Sequence, residues 1–302
     1  MNNPTARRWA EPLRVFGLVL PAWAALGVFF VAPLAIMLVI SFAQRDAYGG
    51  IRPIEDLRAY LRSWQWLANY RQSFEGMYLT ILWRSVWMAV ATTAICILIS
   101  YPVAYYIALL ARPRWKNLLL VLAVVPFWTS FLIRTYAWML ILRTQGLANT
   151  VLLSSGLIHQ PLDLLYNDFA VMIGLVYGEL PFMILPLYAS LEKLDRTLLE
   201  AAADLGAARA ATFWRVTVPL TMPGIVAGVV LVFIPSIGQF IVSDLLGGAK
   251  TVLVGNLIND QFSWARNRPF GSALAFEVTA VVLATVAWYA IYARKRGGME
   301  GL

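Results

Sequence analysis

Four charged side chains interrupt runs that are otherwise apolar: Arg134, Glu179, Asp244 and Glu277. An ionised side chain at mid-bilayer costs about 2.5–3.5 kcal/mol on insertion scales, so each needs a partner or a task. Glu179 stands mid-run in Tyr177-Gly178-Glu179-Leu180-Pro181, and Arg134 in Arg134-Thr135-Tyr136-Ala137-Trp138. The bland task for Arg134 is an ion pair with Glu179 or Glu277 that holds a helix bundle together; direct contact with a ligand is the alternative. For Glu179 and Glu277, a structural place and a place along a solute path both stay open. Arg84 is near enough to the end of its run to snorkel. Covalent and metal chemistry find no support. Cys96 is the single cysteine and His159 the single histidine, so neither a disulfide framework nor a Cys/His metal cluster forms within one chain. No activated nucleophile and no paired catalytic carboxylates stand at a recognisable spacing.

The elements that must position these groups are membrane spans. Apolar residues make up 60% of the 302-residue chain and its mean hydropathy is +0.69, which excludes an ordinary soluble domain. The net charge of +8 does not point to nucleic acid, because the basic residues cluster beside apolar runs. A spanning helix takes about 20 apolar residues. Six candidates follow, near 16–42, 81–111, 117–142, 169–191, 222–246 and 271–293. The first is too long for the core of a cleavable signal peptide and reads as a span. Six spans place both termini on one side. The flanks Arg7, Arg8, Arg14, Arg112, Arg114, Lys116, Lys193, Arg196, Arg209, Arg215, Arg294, Lys295 and Arg296 all fall on that side, which the positive-inside rule makes cytoplasmic. The outer segment from Ala43 to Thr80 carries Trp64, Trp66, Tyr70 and Tyr78, suited to anchoring at the membrane interface. Gly146 to Ile158 reads as a short interfacial helix. The whole reads as one transmembrane domain, 1–302, with a core over 81–293 and an inner loop over 192–223.

Two stretches stand apart from ordinary spans. The first is the inner loop, EKLDRTLLEAAADLGAARAATFWRVTVPLTMP. Asp195 is placed to cap a helix from Arg196 to Leu205, and Gly206 stands where a left-handed residue ends one. Ala201, Ala202 and Ala203 keep its surface thin enough for another protein to approach. Pro219 and Pro223 then reset the chain before the next span. The second is Phe233-Ile234-Pro235-Ser236-Ile237-Gly238-Gln239-Phe240 in the fifth span. Pro235 and Gly238 predict a kink or unwinding at membrane depth, tolerated only against protein or a water-filled path and a pointer to a transport pathway.

Glu200-Ala201-Ala202, Gly206 and Pro219 resemble the EAA loop of ATP-binding-cassette importer permeases. The resemblance implies a type I importer fold: all-α, six spans, both termini cytoplasmic. It also implies that Glu200, Ala201, Ala202, Asp204, Gly206 and Pro219 couple the chain to an ATPase. The block Ser243-Asp244-Leu245-Leu246-Gly247-Gly248-Ala249-Lys250, with Gly255-Asn256-Leu257-Ile258, Gln261-Phe262 and Arg268-Pro269-Phe270-Gly271-Ser272-Ala273, is similar to the B-type permease subunit of spermidine/putrescine importers. So is Arg134-Thr135-Tyr136-Ala137-Trp138. The likeness runs from the second span to the sixth. It implies a second related permease, two cytoplasmic ATPase subunits and an external polyamine-binding protein as partners, all at the inner (plasma) membrane and in contact with lipid. ATP and magnesium belong to the ATPase subunits; this chain has no G-x-x-x-x-G-K-[ST] loop and takes no cofactor. A path for a multivalent cation combines carboxylates with aromatic faces, each worth about 0.5–2 kcal/mol to a cation. The candidates are Trp128, Tyr136, Trp138, Tyr177, Glu179, Gln239, Asp244 and Glu277. Rival readings are an importer permease for another small organic solute, a secondary transporter using Glu179 and Arg134 as a relay, a membrane enzyme and a membrane scaffold.

Overall fold

In hydrocarbon every backbone N–H and C=O must find a partner within the protein, and helices meet that demand segment by segment. The computed structural model describes residues 19–46, 49–52 and 56–297; among them the structure is helical, apart from one isolated bridge between Arg45 and Ile51. Arg7, Arg8 and Arg14 lie outside the described residues. Four helices are long and apolar enough to cross a membrane, or six if each of two bent pairs counts as one span. The chain divides into two compact units.

The first unit takes in the described parts of Met1–Glu75 together with Asp260–Glu277. Its helix α1, Val19–Ser41, is only 6% buried along its apolar window. Pro33 has no N–H to give, and the helix widens just before it into a π turn, Gly27–Val31, where the Ala32 N–H bonds the Gly27 carbonyl. Two short helices follow, α2 (Leu57–Arg62) and α3 (Ala68–Ser73). The Asn69 amide of α3 donates to the carbonyls of Ser41 and Ala43, both at 2.8 Å, and the Tyr60 hydroxyl donates to that of Phe42 at 2.6 Å. Phe42 packs on Trp66 and Tyr70 with ring centroids 5.7 and 5.4 Å away. Of the expected interface aromatics, then, Trp66 and Tyr70 are in the packing, while Trp64 remains exposed.

The second unit comprises Gly76–Asn259 and the chain from Val278 onward. Helix α4, Gly76–Leu110, turns back through Ala111 and Arg112 into α5, Pro113–Val124, which tightens into a 3₁₀ turn at Val125–Trp128. This is the expected tight basic hairpin. The expected continuous third span, 117–142, is not formed. The chain leaves the helix at Thr129 and Ser130 and resumes as α6, Phe131–Leu142, with the pair bent by 89°. Pro126 sits in the first turn of the 3₁₀ segment, where a missing N–H costs least, and Thr129 bonds back to the Pro126 carbonyl at 2.8 Å to finish the turn. Helix α7, Leu147–Ser154, is the short helix expected within Gly146 to Ile158.

Helix α8, Asp168–Glu192, is the centre of the unit, 56% buried along its apolar window. It packs against α4 and against α11, Met222–Gly238. Cys96 and Ala104 of α4, Met183, Leu187 and Leu191 of α8, and Val232 of α11 make one dry cluster. Lipid tails are as apolar as these side chains, so close packing rather than burial from water holds such helices together. Gly224 shows how close: a Cβ there would lie 2.4 Å from the Ser190 Cβ and 2.7 Å from the Pro186 carbonyl. Between α8 and α11 the inner loop carries α9, Arg196–Asp204, and α10, Arg209–Leu220; α10 meets α11 at a 65° bend. The final helices are α12, Val254–Ser263, and α13, Arg268–Gly297, which begins in the first unit and ends in the second.

Candidate functional site

The inner loop is built as its residues dictate. Asp195 leaves the helical region (φ −69°, ψ 117°) and its carboxylate accepts from the Thr197 N–H at 3.0 Å, satisfying a donor that the first turn leaves free. That bond holds the Asp195 carboxyl below the usual aspartate range. At the other end Gly206 takes φ +78°, donates to the Ala203 carbonyl at 2.9 Å, and is followed by Ala207 donating to Ala202 at 3.0 Å. These two bonds make a Schellman stop, which places the turn residue in the left-handed region where only glycine pays no steric penalty. Glu200, Ala201, Asp204, Gly206 and Pro219 are exposed, while Ala202 is half-buried. Leu205 at the tip is 88% exposed. A cleft of about 600 Å³ lies beside α9, lined by Ser190, Lys193, Asp195 and Leu198 on one side and Leu220 and Pro223 on the other.

The second assembly lies where α6 crosses α8. The 89° bend lays α6 over the stretch Tyr177–Phe182: Trp138 meets Tyr177 edge-on at 5.5 Å, and Phe127 meets Phe182 edge-on at 4.7 Å. Phe131 lies against Gly178. Arg134 is held inside this aromatic set, its guanidinium 5.0 Å from the centre of the Phe127 ring and 5.7 Å from that of Phe131. Glu179 is 5% exposed. The expected ion pair with Glu179 is not formed: Glu179 does not lie within 4.0 Å of the Arg134 nitrogens, and among the described residues a salt bridge joins Arg84 and Asp168; Glu277, the other expected partner, belongs to the first unit. Glu179 Oε2 and Arg134 Nε and Nη1 are buried without a hydrogen-bond partner.

The third assembly is the interrupted fifth span. Pro235 stays within α11, and the helix ends at Gly238, leaving Gln239 and Phe240 outside regular structure before a π turn at Ser243–Gly247. The break therefore falls within the expected stretch, at its C-terminal end. Asn256 braces the chain beyond it: its amide nitrogen donates to the Phe240 carbonyl at 3.1 Å and to the Asp244 carboxylate, and its oxygen accepts from the Leu253 N–H at 3.1 Å and from the Ser243 hydroxyl. Asp244 is thus exposed but tied by Asn256, and Gln239 is half-buried.

The remaining candidates are scattered. Trp128 and Tyr136 are 80% and 50% exposed on the outside of the second unit. Glu277 accepts a hydrogen bond from Ser73 within the first unit. Arg84, expected to snorkel, is paired with Asp168, which also accepts from Thr251 at 2.7 Å. The sequence reading missed Phe127, Phe131 and Asn256. Phe127, Phe131 and Arg134 are spaced four and three apart, a shared-face spacing that could have grouped them; nothing local marks Asn256 for its task, because Phe240, Ser243 and Asp244, which it binds, stand twelve to sixteen residues earlier.

A bundle of apolar helices with an exposed capped loop and a buried, unpaired carboxylate defines a multi-spanning transport subunit rather than a soluble binding module. The comparisons agree. The model of the family "Binding-protein-dependent transport system inner membrane component" matches residues 100–297, and the chain belongs to that family as an ABC importer permease. Among its relatives, the spermidine/putrescine transport system permease protein PotB of Haemophilus influenzae is 45% identical over 84% of this chain and 86% of the relative. That of Escherichia coli K12 is 43% identical over 86% and 90%. The E. coli inner membrane ABC transporter permease protein YdcU is 33% identical over 78% and 77%. A solved bacterial ABC transporter involved in import of the acidic polysaccharide alginate shares the fold, with a TM-score of 0.66 at 15% identity over 96% of this chain and 99% of that one.

Proposed function

We propose that this chain forms part of the membrane path for polyamines, spermidine and putrescine, in an importer that also contains a second related permease, two ATPase subunits and an external binding protein. The observation that carries the cargo is the 43–45% identity, across 84–86% of the chain, to permeases named for spermidine and putrescine transport. The chemistry of the α6–α8 crossing supports it: a buried carboxylate beside aromatic faces suits an alkylammonium, which binds by charge and by cation–π attraction together. Glu200 to Gly206 would receive the motion of the ATPases, with ATP and magnesium bound there and not in this chain. Both termini, and the inner loop with them, would face the cytoplasm. The alternative cargo is another small organic solute, favoured by the 33% identity to a permease whose name specifies no polyamine.

The test is ATPase activity of the reconstituted complex, with binding protein carrying spermidine, putrescine or nothing. Stimulation by the polyamine-loaded forms is expected. Stimulation only by an unrelated solute would overturn the cargo, and uptake that survives loss of the ATPases would overturn the importer mechanism in favour of a secondary transporter.

A further inference from the structure

Two opposite charges buried in the same neighbourhood of a membrane bundle, each short of hydrogen bonds, ordinarily close into a pair. Arg134 and Glu179 do not. The reason is visible in what holds the guanidinium. Its planar head is kept over Phe127 and Phe131, Phe127 is braced by Phe182, and Phe131 is seated on Gly178, the residue next to Glu179. Cation–π attraction to two rings offsets part of what the missing carboxylate contacts would contribute. On the other side, Glu179 Oε2 is left with an acceptor lone pair and no donor in the protein.

We infer that Arg134 is a resident counter-cation and the selectivity element of the path: it neutralises Glu179 at a distance while leaving the carboxylate's acceptor free for one ammonium group of a multivalent amine. The inference rests on the cationic cargo proposed above. A site whose charges sum to zero holds little attraction for a lone sodium ion or a singly charged amine. A polyamine gains more, because one ammonium can meet Glu179 while its methylenes and its next charge lie along the aromatic faces of Phe127, Phe131, Tyr177 and Trp138. The same balance keeps the well shallow, so that cargo moves on.

Charge arithmetic supplies the test. Arg134→Gln leaves the site at −1, Glu179→Gln leaves it at +1, and the double variant returns it to zero. The measurement is labelled spermidine uptake into proteoliposomes holding the full complex, with sodium ion and butylamine as competitors, after assembly of each variant is verified by co-purification. Arg134→Gln is expected to lower both KM and kcat and to raise sensitivity to sodium and butylamine by about tenfold or more, tenfold being the scale of one unbalanced charge about 12 Å away at an effective dielectric of 20. Glu179→Gln is expected to transport least, and the double variant to recover part of that loss. Unchanged competition by sodium and butylamine in Arg134→Gln overturns the inference while polyamine import stands. So does a double variant no better than Glu179→Gln. A wild-type complex that ignores polyamines altogether overturns the cargo and this inference with it.

Discussion

Asn256 shows how much of this protein depends on single polar side chains. Its four hydrogen bonds reach the Phe240 carbonyl, Asp244, Ser243 and the Leu253 N–H, and the residue is 5% exposed. Asn256→Leu is nearly the same size but strands the Leu253 N–H, while the Phe240 carbonyl keeps the Asp244 N–H and the Ser243 hydroxyl. Leaving a buried polar group unsatisfied costs about 1–3 kcal/mol, so the purified complex should melt a few degrees lower, whereas Ser243→Ala, which leaves no backbone N–H without an acceptor, should cost less. Equal melting of Asn256→Leu and wild type would show that the break after Gly238 supports itself. At this scale the sequence was legible where the partners are local. Asp195 and Gly206 announce a helix start and stop because each bonds within a few residues of itself. Asn256 was not legible, because Phe240, Ser243 and Asp244 stand twelve to sixteen residues before it; the Phe127–Phe131–Arg134 set was within reach of its four-and-three spacing.

Elements carry the same contrast. The inner helix α9 could be drawn to within one residue from its caps, ending at Asp204 rather than Leu205. The break in the third span could not, since Thr129 and Ser130 are too short a polar interruption to divide an apolar run, and hydropathy is blind to direction. Gly206 tests α9. Nothing lies within 4 Å of a Cβ added there, so only its φ of +78° resists substitution. Gly206→Val should therefore strain the stop by about 1–2 kcal/mol and lower ATP-coupled uptake while the subunit still reaches the membrane; Gly206→Asn should be milder. Normal uptake by Gly206→Val would count against α9 as the coupling element. Gly224 and Gly228 test the α8–α11 contact. A Cβ at Gly224 meets the Ser190 Cβ and the Pro186 carbonyl, but at Gly228 the nearest atom is Met183 Sδ, the flexible end of a side chain. Gly224→Ala should cost about 1–3 kcal/mol and Gly228→Ala less, as measured by thermal melting in detergent. A reversed order would mean that α8 yields at Pro186.

For the whole molecule, the spans and the family were within reach of the sequence because a bilayer imposes a length and a polarity that any helix must meet. Orientation is open to a direct measurement. Leu205, on the inner loop, and Leu157, after α7, are 88% and 74% exposed, and the native Cys96 is fully buried. A membrane-impermeant maleimide should label Leu205→Cys only in inverted vesicles and Leu157→Cys only in right-side-out ones; the opposite pattern would invert the topology and remove α9 from the reach of any ATPase. The bareness of Leu205 also bears on how cells must make this protein. In the importer proposed above, a copy produced ahead of its partners would display this greasy knob to water. Its abundance is then expected to follow that of the scarcest partner, as immunoblots of partner-depleted cells would show.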